Sequence, residues 1–187
     1  VALTAGPSKA PGILSDIGFG RVFAVGAMVL VAVAVQSTVL ARLTLLGVIP
    51  QLILVVVVSL AYTDGPRVGV TAGFFGGLLQ DLLLPQSIVG LTALVYTLIG
   101  YAVGNLRQFA PNESVWMPVF AVAFASAVAE ASYALLAIML GQQWVSLTFT
   151  AKVAGLVVLY NTLLTPFAYP LVRRVADKFR PERVYRW

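Results

Sequence analysis

The chain has 187 residues, of which 60% are hydrophobic and only 10% charged. A soluble domain carries roughly 25% charged residues, so an ordinary soluble enzyme, a disordered chain and a disulfide-stapled module are all excluded. The formal charge of +5 comes from 12 Lys and Arg against 7 Asp and Glu, and the absence of Cys and His removes thiol chemistry, Cys/His metal sites and His-based triads.

The composition is that of an integral membrane protein. Residues Val1–Gly20 are weakly charged and contain Gly, Pro and Ser. We read residues 1–21 as a flexible cytoplasmic lead and not as a cleaved signal, because the first apolar run is too long for a signal core. Crossing a bilayer as helix takes about 20 mostly apolar residues. Six runs meet that need: Val22–Ala41, Leu45–Tyr62, Val68–Leu84, Ile88–Leu106, Val115–Leu140 and Leu147–Val172. The short links carry breakers (Asp64-Gly65-Pro66, Pro85, Pro111-Asn112, Gly141), so successive helices should be antiparallel neighbours. An outer-membrane barrel needs alternating segments of about 10 residues, and these runs are continuously apolar. The expected fold is therefore an all-α bundle of six transmembrane helices over 22–172, followed by a basic cytoplasmic tail over 173–187. Pro50 in the second run, and Pro166 and Pro170 in the sixth, each remove a helical hydrogen bond and predict kinks.

Orientation follows from the basic residues. With the N-terminus inside, Lys9, Arg21, Arg67, Arg107, Arg173, Arg174, Lys178, Arg180, Arg183 and Arg186 all fall on the cytoplasmic side. Arg42 alone lies outside and Lys152 lies within the sixth run. That bias predicts two cytoplasmic termini. Trp116 and Trp144 then fall near opposite interfaces, as aromatic belts require.

Inside the third run Gly69, Gly73 and Gly77 recur every four residues, and Gly100 and Gly104 repeat the spacing in the fourth. Small residues at that spacing let helix backbones approach closely. Such a face serves packing within the chain or the docking of a partner's transmembrane helix. The fifth run is rich in Ala. Three ionisable residues, Asp81, Glu130 and Lys152, fall in the outer half of the spans, roughly 5, 15 and 8 Å from the boundary at 1.5 Å per residue. Charges there are costly in lipid and face the bundle interior or water. We expect a polar cluster in which Lys152 pairs with Glu130 or Asp81. Its alternatives are a register-fixing ion pair, an outward ligand or ion site, or snorkelling to water. Gln36, Gln51, Gln80 and Asn161 add hydrogen-bonding groups that specify the bundle. In the tail, Arg173, Arg174, Lys178, Arg180, Arg183 and Arg186 stand with Phe179, Tyr185 and Trp187, a pattern for contact with anionic lipid or an acidic partner, beside plain topological anchoring. Nucleic-acid binding is disfavoured, since a short tail offers no fold to present it.

The stretch Pro50–Arg107 carries a specific pattern. Pro50-Gln51-Leu52 enters an aliphatic run. Gly69, Gly73, Phe74, Gly77-Leu78-Leu79 and Asp81-Leu82 follow, then Gly90-Leu91-Thr92-Ala93-Leu94, Tyr96 and Gly100-Tyr101. This resembles the bacterial rod shape-determining protein MreD family. Leu84-Pro85-Gln86-Ser87 departs from the Gly or Ser-Gly turn usual in that family. The resemblance implies a non-enzymatic subunit of the cell-elongation machinery in the cytoplasmic (inner) membrane, without a cofactor. It implies an MreC-like single-span partner, with RodA, its penicillin-binding transpeptidase and MreB in the wider complex. The family's fold is similar to the substrate-binding subunits of energy-coupling-factor vitamin transporters, six-helix bundles with an outward cavity. Such a transporter subunit is therefore the competing expectation, with Asp81, Glu130 and Lys152 lining its ligand site. A membrane enzyme is the weakest alternative, for want of a catalytic set.

Overall fold

The computed structural model describes residues 19–42, 44, 47–84, 88–109, 116–141 and 147–179. These residues form α1 (Phe19–Thr38), α2 (Leu52–Asp64), α3 (Pro66–Leu83), α4 (Leu91–Leu106), α5 (Met117–Met139) and α6 (Leu147–Lys178). The chain is all-α and spans the membrane more than once: the stretches Gly20–Arg42, Met117–Met139 and Thr150–Lys178 are each long and apolar enough to cross. Large apolar side chains such as Phe23, Phe75, Phe120, Phe124 and Phe167 point outward, as a lipid-facing surface requires.

α2 is the axis of the bundle. Its Val- and Ile-rich sequence is apolar on every side, and a helix of that kind belongs in a core. Ten of its 13 residues are buried, and it touches all five other helices. The β-branched residues that lower its helix propensity also stiffen the packing around them. The helix is shorter than the predicted Leu45–Tyr62 run. Gly47 takes a left-handed turn at φ +81, and residues 47–51 are non-helical. Pro50 brings no backbone N–H, and the backbone N–H of Gln51 is drawn to a side chain of α6 instead of a helical carbonyl. Thirteen residues of helix reach only about 20 Å, so the non-helical lead covers part of the depth.

α3 and α4 form the closest pair. Gly65 (φ +94) provides the left-handed turn after α2, and Pro66 starts α3 at the position where a missing N–H does no harm. Gly90 (φ +96) stands at the start of α4. α6 keeps both prolines within its length. Pro166 and Pro170 lie inside one continuous 32-residue helix. The hydroxyls of Thr162 and Thr165 donate to the carbonyls of Val158 and Asn161, each 2.6 Å away, and fasten the turns before the prolines. The helix also runs past Val172, so Arg173, Arg174 and Lys178 are exposed on its last turns.

Contacts gather the basic residues at one end. Arg21 at the start of α1 meets Asp64 at the end of α2. Gly104 near the end of α4 lies against Pro66, and Gly20 lies against Phe179 after α6. Arg67, Arg107, Arg173 and Arg174 belong to this same end, while Arg42 lies at the end of α1 away from it.

Candidate functional site

The short α2 creates a problem that the polar residues solve. A helix start leaves its first N–H groups without helical partners, and inside a membrane no water is available for them. The start of α2 has no capping side chain of its own. Gln36 of α1 accepts the Ile53 N–H at 3.0 Å, and Asn161 of α6 accepts the Gln51 N–H at 2.9 Å. Two amides from two other helices therefore cap the central one. Asn161 is fully buried and its amide donates to Ser126 of α5 at 2.9 Å.

Gln51 extends this network towards α4 and α5. Its amide donates to Glu130, and its carbonyl accepts from the Tyr96 hydroxyl at 3.0 Å. Glu130, Gln51 and Tyr96, with Gln80, Leu84, Thr92, Val95, Ala129 and Tyr133, line a cavity of about 180 Å³ between α2, α3, α4 and α5.

Asp81 does something different. Its Oδ2 accepts backbone N–H groups from Gly90 (2.9 Å), Thr92 (3.0 Å) and Ala93 (3.3 Å), so it caps α4 from the end of α3. A carboxylate at a helix N-terminus also opposes the positive end of the helix dipole. The expected clustering of Asp81, Glu130 and Lys152 is not what the chain builds. Asp81 serves the α4 cap, Glu130 serves Gln51, and Lys152 is exposed near the start of α6 and lines neither site. Lys152 pairs with neither acid among the described residues, because an exposed ammonium keeps its water.

The five glycines face one another's helices. A Cβ at Gly69 would fall 2.5 Å from the Gly100 carbonyl oxygen, and one at Gly77 would fall 2.6 Å from the Ala93 Cα. Gly73 lies on the Tyr96 backbone, Gly100 on Gly69, and Gly104 on Pro66. The Gly face is thus the α3–α4 seam, already filled by the chain's own backbone. Of the tail residues, Arg180, Arg183 and Arg186 lie outside the described residues, as do Trp144, Pro85 and the Pro111-Asn112 link. So does most of the lead, residues 1–18.

Two features escaped the sequence reading. The Arg21–Asp64 ion pair (2.9 Å) has the aspartate side chain buried to 1% exposure, whereas Asp64 had read as part of a turn. Ser126, Glu130 and Tyr133 also stand at helical spacings of four and three, which puts all three on one face of α5. That stripe was visible in the sequence and explains why α5 reaches both the Asn161 network and the cavity. Among the described residues, no group of three or more His, Cys, Asp or Glu is placed to hold a metal ion.

The chain thus joins a capped, deeply buried central helix to a glycine seam and an Asp81-to-α4 cap. The sequence profile of the family described as rod shape-determining protein MreD matches residues 18–176. The chain belongs to the MreD family. The match takes in all of α2 to α5, both caps and the seam, so the elements just described are those of an MreD-family membrane protein. No curated protein and no solved structure matches the chain.

Proposed function

We propose that this MreD-family chain is a non-enzymatic scaffold and regulatory subunit of the bacterial cell-elongation machinery in the cytoplasmic membrane. In this reading all six helices cross, both termini are cytoplasmic, and the chain holds an MreC-like single-span protein. RodA, its penicillin-binding transpeptidase and MreB form the wider assembly. The family match over residues 18–176 carries the proposal. The arrangement of charge supports the orientation, because the end that gathers Arg21, Arg67, Arg107, Arg173 and Arg174 is the one the positive-inside rule assigns to the cytoplasm. Use of the polar groups supports a scaffold. Gln36, Asn161 and Asp81 are spent on capping helices and Gln51 on bonding Glu130 and Tyr96, which makes a stiff platform. With the glycine seam filled by α4, a partner helix docks on the outward apolar faces. The basic end of α6 rests on anionic lipid.

The competing reading, a vitamin-binding transporter subunit, draws on the cavity beside Glu130. At about 180 Å³ that cavity is smaller than the roughly 300–1,000 Å³ of sites for drug-sized ligands. The scaffold is therefore the better reading. The test is depletion of the chain in its own rod-shaped host. Loss of rod shape, restored by a plasmid copy, is expected; rods that keep their shape and width after depletion would refute it.

A further inference from the structure

The cavity between α2, α3, α4 and α5 has a consistent chemistry. Its hydrogen bonds run one way. The Tyr96 hydroxyl donates to Gln51, and Gln51 donates to Glu130, so the chain of donors ends on a carboxylate. Among the described residues no Lys or Arg lines the space. Gln80 is one of the lining residues, and its side-chain oxygen is buried and meets no hydrogen-bond donor among the described residues. The Tyr133 and Tyr96 rings form part of the wall. A buried acceptor without a donor is unfavourable, and a lone acid without a basic neighbour is more so. The cavity therefore offers an acid and an amide oxygen still short of a donor, and no Lys or Arg among the described residues faces them.

We infer that this cavity is a binding site for a small primary ammonium group, held by Glu130 and the orphan oxygen of Gln80 with the Tyr96 and Tyr133 rings beside it. An ammonium brings three donors and no acceptor, which suits a carboxyl group and an amide oxygen left without a donor. Aromatic faces add cation–π attraction. The volume agrees: a cavity of about 150 Å³ holds a benzene-sized guest, so this one takes about as many heavy atoms as an aminoalcohol. The group comes from a free amine or from an aminophospholipid headgroup, and both present the same ammonium. The site does not depend on the scaffold reading, since it needs no partner protein.

The test is thermal unfolding of the full chain in phosphatidylcholine nanodiscs, titrated with ethanolamine hydrochloride. Sodium chloride and tetramethylammonium chloride at matched ionic strength are the controls, the second being a cation without N–H donors. A saturable rise in Tm with ethanolamine alone is expected. Gln80→Leu should fold with an equal or higher Tm, because it removes the orphan acceptor, yet weaken the amine at least tenfold. Glu130→Gln keeps an oxygen for Gln51 and should abolish the response. In discs containing phosphatidylethanolamine, a higher starting Tm with no further response to free amine identifies the lipid as the source. An undiminished response there identifies the free amine. No saturable shift, an equal shift with sodium, or a shift that survives in both variants would overturn the proposal.

Discussion

Asp81 shows how far a single residue's role depends on where its neighbours end. In sequence it is an intramembrane acid, and the usual inference from such a residue is a pairing or a ligand site. In the fold it accepts three backbone N–H groups at the start of α4, which lipid could not satisfy. Asp81→Ala should therefore lower stability by about 2 kcal/mol or more, the scale of a lost cap plus stranded N–H groups. Asp81→Asn keeps an acceptor and should lose about half as much. Thermal unfolding in detergent reads the difference; equal Tm values for all three proteins would contradict the cap. Arg21 teaches the same lesson at the other end. It read as a topological anchor, but it neutralises an aspartate that is buried almost completely. Arg21→Ala should cost about 2 kcal/mol, below the roughly 3–5 of a fully buried pair because Arg21 is partly exposed. Asp64→Asn should recover part of that loss in the double variant, since the stranded charge is then gone. An additive double variant would show that the two side chains do not interact.

Among the elements, α3 and α4 were the most legible. Glycines every four residues state a close backbone approach, and Gly69, Gly73, Gly77, Gly100 and Gly104 make one. What the spacing did not state was which helix would fill the face, because a glycine stripe carries no address. The structure gives that address as the chain's own α4. Gly73→Leu should then prevent a monodisperse folded protein from forming, since a side chain there meets the Tyr96 backbone and overpacking of even a few atoms costs about 1–3 kcal/mol. Gly26→Leu, whose Cβ meets nothing within 4 Å, should purify as the wild type does. A Gly73→Leu protein that is as stable as Gly26→Leu would contradict the seam. α2 was legible in part. Its apolar run marked a core helix, but the run's first residues were read as helix too. Pro50 and the Gln51 N–H bond to Asn161 delay the start of the helix to Leu52, and a partner 110 positions away cannot be seen from a local window. The sixth run was read as one span and forms one helix with Pro166 and Pro170 inside it; the Thr162 and Thr165 hydroxyl bonds in the turns before them were not visible in the sequence.

At the scale of the whole molecule, composition and charge spoke clearly. A chain with 10% charged residues belongs in a membrane, and the basic residues gather at one end once folded. Family membership was also legible, from the Gly-Leu-Leu-x-Asp-Leu block beginning at Gly77 and the Gly90-to-Tyr101 pattern, and it holds over residues 18–176. The polar core was harder to read. Gln36, Gln51, Glu130 and Asn161 are spread over four segments, and only the fold decides that Gln36 and Asn161 cap one helix, that Gln51 bonds Glu130, and that Lys152 is left outside. The outcome is a molecule with a hydrogen-bonded polar network around its central helix and an apolar exterior, the form expected of a platform for other membrane proteins. The most direct measurement is mild-detergent purification of the tagged full chain from its native membrane, with mass spectrometry of the proteins retained. The scaffold account predicts a single-span protein with a large external domain, accompanied by wall synthases. Recovery of an ATPase and a coupling membrane protein in their place would contradict it and make the chain a transporter subunit.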